Sequence, residues 1–202
     1  SEATPVAIIT VEGDEKRGVN SPALIPDVAL LDAALTVGKP RALTAATGID
    51  AMVHAIEAYT SASPNNNPVS RALAREALRL IGANIRRAVH EGSDGNARAA
   101  MLLGSMLAGQ AFANSPVAAV HALAYPLGGH FGIPHGLSNA LVLPHVLRFN
   151  APACGRLYAE IARDACPDLP PEADADALVA GIAQLCADVG LPPRLREAGV
   201  PW

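Results

Sequence analysis

Aromatic residues are scarce: Phe, Tyr and Trp together make up 3% of the 202 residues, although half of the chain is apolar. The core must therefore be aliphatic, and alanine and leucine recurring at helical spacing point to closely packed helices over a β-sandwich. Cysteine is sparse too. Cys154, Cys166 and Cys186 are odd in number, far apart and without a CxxC pair, which fits reduced core thiols in a cytoplasmic protein better than a disulfide framework. No basic stripe is present, and a formal charge of −4 with a pI near 5.8 leaves little for a phosphate backbone to bind, so nucleic acid is not expected as a partner. No segment reaches the roughly 18 to 20 apolar residues needed to cross a bilayer, and the basic flank and apolar stretch of a signal peptide are missing. A soluble protein with no membrane partner is expected. There is no initiator Met either: Ser1 leads directly into an apolar run, Pro5 to Val11, as if the chain opened in the middle of a protein. Internal repeats and low-complexity tracts are absent.

The first residues read as β and the rest as helix. A strand is expected over 5–12, an exposed turn at DEKRG, and a second short strand over Val28 to Leu31, between Pro26 and Asp32. Two strands so short do not make a stable sheet alone, so either a partner sheet upstream or a partly disordered start is expected. From Arg41 the periodicity is helical: 41–61, 68–90 with Pro68 at a first helical position, 94–113, and 116–127 with Ser115 as cap. Gly128, Gly129, Gly132 and Pro134 predict a loop. Helices follow over 136–149, kinked at Pro144, then 151–165, 173–189 and 193–198, with Gly190 as a stop.

Chemistry concentrates at two places. In TAATGIDAMVHAIEAY, Asp50 and His54 are four residues apart, and a helix turning every ~3.6 residues stacks both side chains on one face. Downstream, HALAYPLGGHFGIPHG sets His121 and His135 in a stretch otherwise apolar or glycine, where a buried imidazole must find a partner or bear the cost of desolvation. Each pair alone is a weak signal, because a hydrogen-bonded Asp–His pair and two unrelated histidines are common. One carboxylate and three neutral imidazoles together suit a divalent transition metal. Glu57, three residues past His54, reads either as a second acceptor orienting that imidazole or as an exposed helix Glu, and is left unassigned. His130 reads as a loop histidine with no chemical role in preference to one facing substrate, and His90 and His145 as structural or solvent-facing.

SPALIPDVALLDAALT, LTAATGIDAMVHAIEAYTS and HALAYPLGGHFGIPHGLSNALVLPHVLRFN together resemble the iron-dependent (group III) alcohol dehydrogenases over nearly the whole chain. The resemblance implies that the metal is held by Asp50, His54, His121 and His135. It also implies cofactor-side roles for Lys16, in the DE turn, and for Leu35, after Asp32. Four residues past His121, many relatives have another His near the cofactor; this chain has Tyr125. The fold implied is mainly α: a helical metal-binding and substrate domain over 39–202, cut before the usual C-terminal helices. A short β remnant of the upstream dinucleotide-binding domain would occupy 1–38. The glycine-rich GGGS turn that holds the pyrophosphate in relatives is missing, so a fragment is expected to be inactive alone.

For the intact enzyme the resemblance implies NAD(P)-linked interconversion of a small alcohol and its aldehyde or ketone, with homodimers formed through the nucleotide domain. Imidazole and carboxylate accept both Fe(II) and Zn(II); the resemblance favours Fe(II). Two rivals stay open. A metal-dependent hydrolase would want a general-base Glu in an HExxH arrangement, which is missing, and a non-catalytic helical module would bind metal or partners only.

Overall fold

A helix apolar on every side belongs in the middle of a domain, and α1 (Arg41–Thr60) is one. Ile49, Met52, Val53, Ala55 and Ala58 are fully buried around its whole circumference. The computed structural model describes residues 3–10 and 16–201, and of Ile8, Thr10 and Lys16 the backbone alone. Around α1 pack α2 (Pro68–His90), α3 (Gly95–Asn114) and α5 (His135–Ala165). α4 (Ala119–Phe131) and α6 (Ala175–Asp188) lie against α5. Ile81, Ile85, Leu143, Leu147, Tyr158, Leu178 and Ile182 fill the space between them, as expected of an aliphatic core with few rings.

Local chemistry sets the helix ends. Asn67 accepts from the N–H groups of Val69 and Ser70 while the Ser70 hydroxyl accepts from the Asn67 N–H, a reciprocal cap that starts α2. Asp94 and Asp174 cap α3 and α6 through Ala97 and Ala177. Gly132, with φ of 66°, closes α4 in the left-handed conformation.

Two strands form an antiparallel ribbon, β1 (Val6–Thr10) and β2 (Lys16–Asn20), with Val6 opposite Asn20 and Thr10 opposite Lys16. This corrects the expected second strand. Val28 to Leu31 lies in no regular element, and part of the expected turn, Lys16 to Gly18, is strand instead. Residues 11–15, which hold the rest of that turn and the end of the expected first strand, lie outside the described residues. Val28 and Leu30 are 80% and 89% exposed, so these two side chains of the apolar run that suggested a strand are left largely uncovered by the described residues.

Three helix boundaries also move. α4 begins at Ala119, not 116, and runs on through Gly128 and Gly129 to Phe131. Glycine costs a helix only about 1 kcal/mol per residue, which packing on α5 offsets, so Gly132 alone ends it. The two helices expected over 136–149 and 151–165 are one, α5, with Pro144 and Pro152 inside it. Burial of Leu143, Val146, Leu147, Tyr158 and Ile161 along its length outweighs the missing N–H bonds. The last expected helix is a single 3-10 turn, Leu195–Ala198.

Candidate metal centre

The first turns of α4 and α5 both point at the middle of α1, and this convergence assembles the site. His121 lies in the first turn of α4, and His135 is the first residue of α5. Gly136 allows the approach: a Cβ there would stand 2.5 Å from the Ala46 carbonyl oxygen, so only glycine lets α5 press this closely on α1.

Asp50, His54 and His121 each offer one ligand atom, and the three atoms lie within 4.8 Å of one another. Asp50 Oδ1 is 3.8 Å from His121 Nε2 and 3.7 Å from His135 Nε2. The rings of His54 and His121 stack with centroids 4.7 Å apart, and those of His121 and His135 are 5.4 Å apart. Donors sharing one ion through bonds of about 2.1 Å stand roughly 3 to 3.4 Å apart, so the set closes on a cation with shifts of about an ångström. The donor set therefore fits a divalent transition ion. Of the four residues singled out in the sequence, three form the tightest cluster and His135 joins it through Asp50.

Glu57 overturns the more ordinary of its two readings. It is buried, not exposed, and it orients His121 rather than His54. Its carboxylate accepts from the N–H groups of Ala118 and Val120 at 2.9 and 2.7 Å and from His121 Nδ1 at 2.7 Å. Those two amides belong to the start of α4, so Glu57 is that helix's cap in place of Ser115, whose hydroxyl meets the Ser70 hydroxyl instead. A carboxylate can only accept here. His121 therefore carries its proton on Nδ1 and turns the Nε2 lone pair toward Asp50. Burial pushes the His54 imidazole down to about 4, with Asp50 opposing the shift, so this ring is neutral at neutral pH and ready to donate its lone pair.

A residue not singled out in the sequence, Asn139, is fully buried one helical turn after His135, with its amide nitrogen 2.5 Å from Asp50 Oδ1. Its signal was available: an Asn four residues past a candidate ligand on the same helix shares that ligand's face.

The cluster forms one wall of a cavity of about 600 Å³, bordered also by Phe112, Val117 and Tyr125. Tyr125 stacks on His135 with centroids 5.8 Å apart. Leu35, in the 3-10 turn Ala33–Thr36, is 85% exposed and does not border this cavity; Lys16 is placed in β2 by its backbone, and its side chain lies outside what is described. His130 is exposed in the last turn of α4, and His90 Nε2 meets the Asp188 carbonyl at 2.8 Å.

Residues 44–202 match the model of the Fe-containing alcohol dehydrogenase family, C-terminal. Among curated relatives, 1,3-propanediol dehydrogenase of Klebsiella pneumoniae is 43% identical over 99% of this chain and 52% of its own length. Long-chain-alcohol dehydrogenase 1 of Geobacillus thermodenitrificans (strain NG80-2) is 45% identical over 100% of this chain and 51% of its own. The crystal structure of a 1,3-propanediol oxidoreductase superposes with a TM-score of 0.91 at 43% identity, over 99% of this chain and 53% of that one. A sulfoacetaldehyde reductase from Bifidobacterium kashiwanohense, solved in complex with NAD+, does so with 0.87 at 30% identity, over 99% and 52%. The chain spans about half the length of the curated relatives it matches. With the family model covering most of the sequence and the fold shared throughout its length, this chain belongs to the Fe-containing alcohol dehydrogenase family.

Proposed function

We propose that this chain is the helical, metal-binding half of an NAD(P)-linked alcohol dehydrogenase, with Asp50, His54, His121 and His135 as the metal ligands. The observation that carries this reading is the convergence of one carboxylate and three imidazoles, drawn from α1, α4 and α5, on the wall of a single cavity. Residues 39–202 form the metal and substrate domain in this reading, and 1–38 belong with the dinucleotide-binding part. Lys16, Leu35 and Tyr125 lie on the cofactor side.

When bound, a divalent ion supplies Lewis-acid polarisation of an alcohol or carbonyl oxygen, and a nicotinamide cofactor supplies the hydride exchange. The family name favours Fe(II) over Zn(II). The chain's own residues do the holding. Asp50 brings the negative charge that offsets a cation, Glu57 keeps His121 in the tautomer with a free Nε2, and the aromatic faces of Phe112 and Tyr125 border the space left for substrate. A hydrolytic reading is disfavoured because Glu57, the one buried carboxylate beside the cluster among the described residues, already accepts three hydrogen bonds and is not free to act as a general base toward water.

Elemental analysis with anomalous diffraction at the iron edge tests the assignment. One equivalent of metal between the four side chains is expected, lost in Asp50→Ala. Metal found elsewhere, or loading unchanged in that variant, overturns it. Alcohol-dependent NAD+ reduction by the full-length enzyme, abolished by the same substitution, would establish the activity.

A further inference from the structure

Asn139 touches three of the four side chains assigned to the metal. Besides the contact with Asp50 Oδ1, its amide nitrogen is 3.3 Å from His121 Nε2 and 3.3 Å from His135 Nε2. The reverse orientation of the amide would set its oxygen against a carboxylate oxygen and two imidazole nitrogens, so the nitrogen belongs on this side. The consequence is visible at the other end of the group. Asn139 Oδ1 is buried and has no hydrogen-bond partner among the described residues.

An amide oxygen left unpaired in an interior costs roughly 1 to 3 kcal/mol. A packing residue would carry no such cost, since leucine has nearly the same size and no polar atom to strand. The cost is explained if the donor end does something the site needs. A carboxylate that accepts from a rigid, buried amide loses the freedom of its terminal torsion before any ion arrives, and the second amide hydrogen faces the two imidazoles. The ligand atoms are then held ready instead of being ordered at the expense of binding energy.

We propose that Asn139 is a positioning residue for the metal centre: it acts through Asp50, orienting the carboxylate against His121 and His135 so that the ion meets an assembled site. This rests on the four-ligand reading. Its test uses Co(II) as a spectroscopic probe, titrated by its d–d absorption and by chelator competition, with the helical circular dichroism of each variant recorded beside it.

Asn139→Leu, which keeps the volume, and Asn139→Ala, which does not, are expected to bind Co(II) about 10- to 100-fold more weakly than wild type while retaining the helical signal. Asn139→Ser, a smaller donor, recovers part of that loss. Since the residue acts through the Asp50 carboxylate, adding Asn139→Leu to Asp50→Asn, which keeps an oxygen donor and a weaker but measurable site, should weaken Co(II) binding by much less than it does in wild type. Affinity within threefold of wild type in the folded Leu and Ala variants, tighter binding in either, or full additivity in the double variant overturns the proposal. A folded wild-type chain that takes up no Co(II) overturns the four-ligand reading and this inference with it.

Discussion

At the scale of single residues, Glu57 shows where sequence pattern stops. Asp50 and His54 were legible because both sit on one helix at a fixed spacing. The role of Glu57 depends on partners 61 to 64 residues away, which no local period encodes. A bond to a charged group contributes about 1.5 to 3 kcal/mol, so Glu57→Ala, which strands two amides and an imidazole, should lower stability by at least about 3 kcal/mol in urea denaturation. It should also weaken metal binding, because His121 loses its fixed tautomer. The cysteines offer a second test at this scale. Burial pushes the thiols of Cys166 and Cys186 up to about 12, and both stay protonated at ordinary pH. Cys154 is only half buried. Iodoacetamide at pH 8 should therefore label Cys154 in the native protein and the other two only after unfolding, as read by intact mass. Equal labelling of all three would contradict the burial.

Among the elements, helices with an opening cap or a clear apolar face were read to within a few residues: α1, α2, α3 and α6 all lie close to their expected spans. The larger helix errors fall on α4 and α5, where Gly128 and Gly129 predicted a loop and a break was expected at 150. Long-range packing decided those segments, and packing is invisible in a propensity. Gly136 matters for another reason, since it sets how closely α5 approaches α1 beside His135. Gly136→Ala must push the two helices apart, and overpacking of this kind costs about 1 to 3 kcal/mol. Metal affinity should fall with it, because the ligand next in sequence moves with the helix. Asn67→Ala is the contrasting case: it removes the cap of α2, whose start lies at none of the candidate ligands, and should cost about 1 kcal/mol with metal affinity unchanged.

For the whole molecule, the consequence is that one ion would tie together three helices separated widely in sequence. The histidine-bearing turns of α4 and α5 and the middle of α1 all border this cavity. A ligand that binds the folded state alone stabilises it by RT ln(1 + [L]/Kd), about 2.7 kcal/mol at a hundred times Kd. For a chain near 200 residues each kcal/mol raises Tm by roughly 2 to 4 °C, so saturating divalent metal should raise Tm by about 5 to 11 °C. Chelator should reverse the shift, and Asp50→Ala should abolish it. Hydrogen exchange would show where the stabilisation falls. Amides at the starts of α4 and α5 should gain protection on metal addition, whereas the β1–β2 ribbon, a two-stranded element with little stability of its own, and the exposed stretch around Val28 to Leu31 should exchange as before. Protection confined to the ribbon, or a Tm indifferent to metal in a folded chain, would mean that the four side chains meet without sharing an ion.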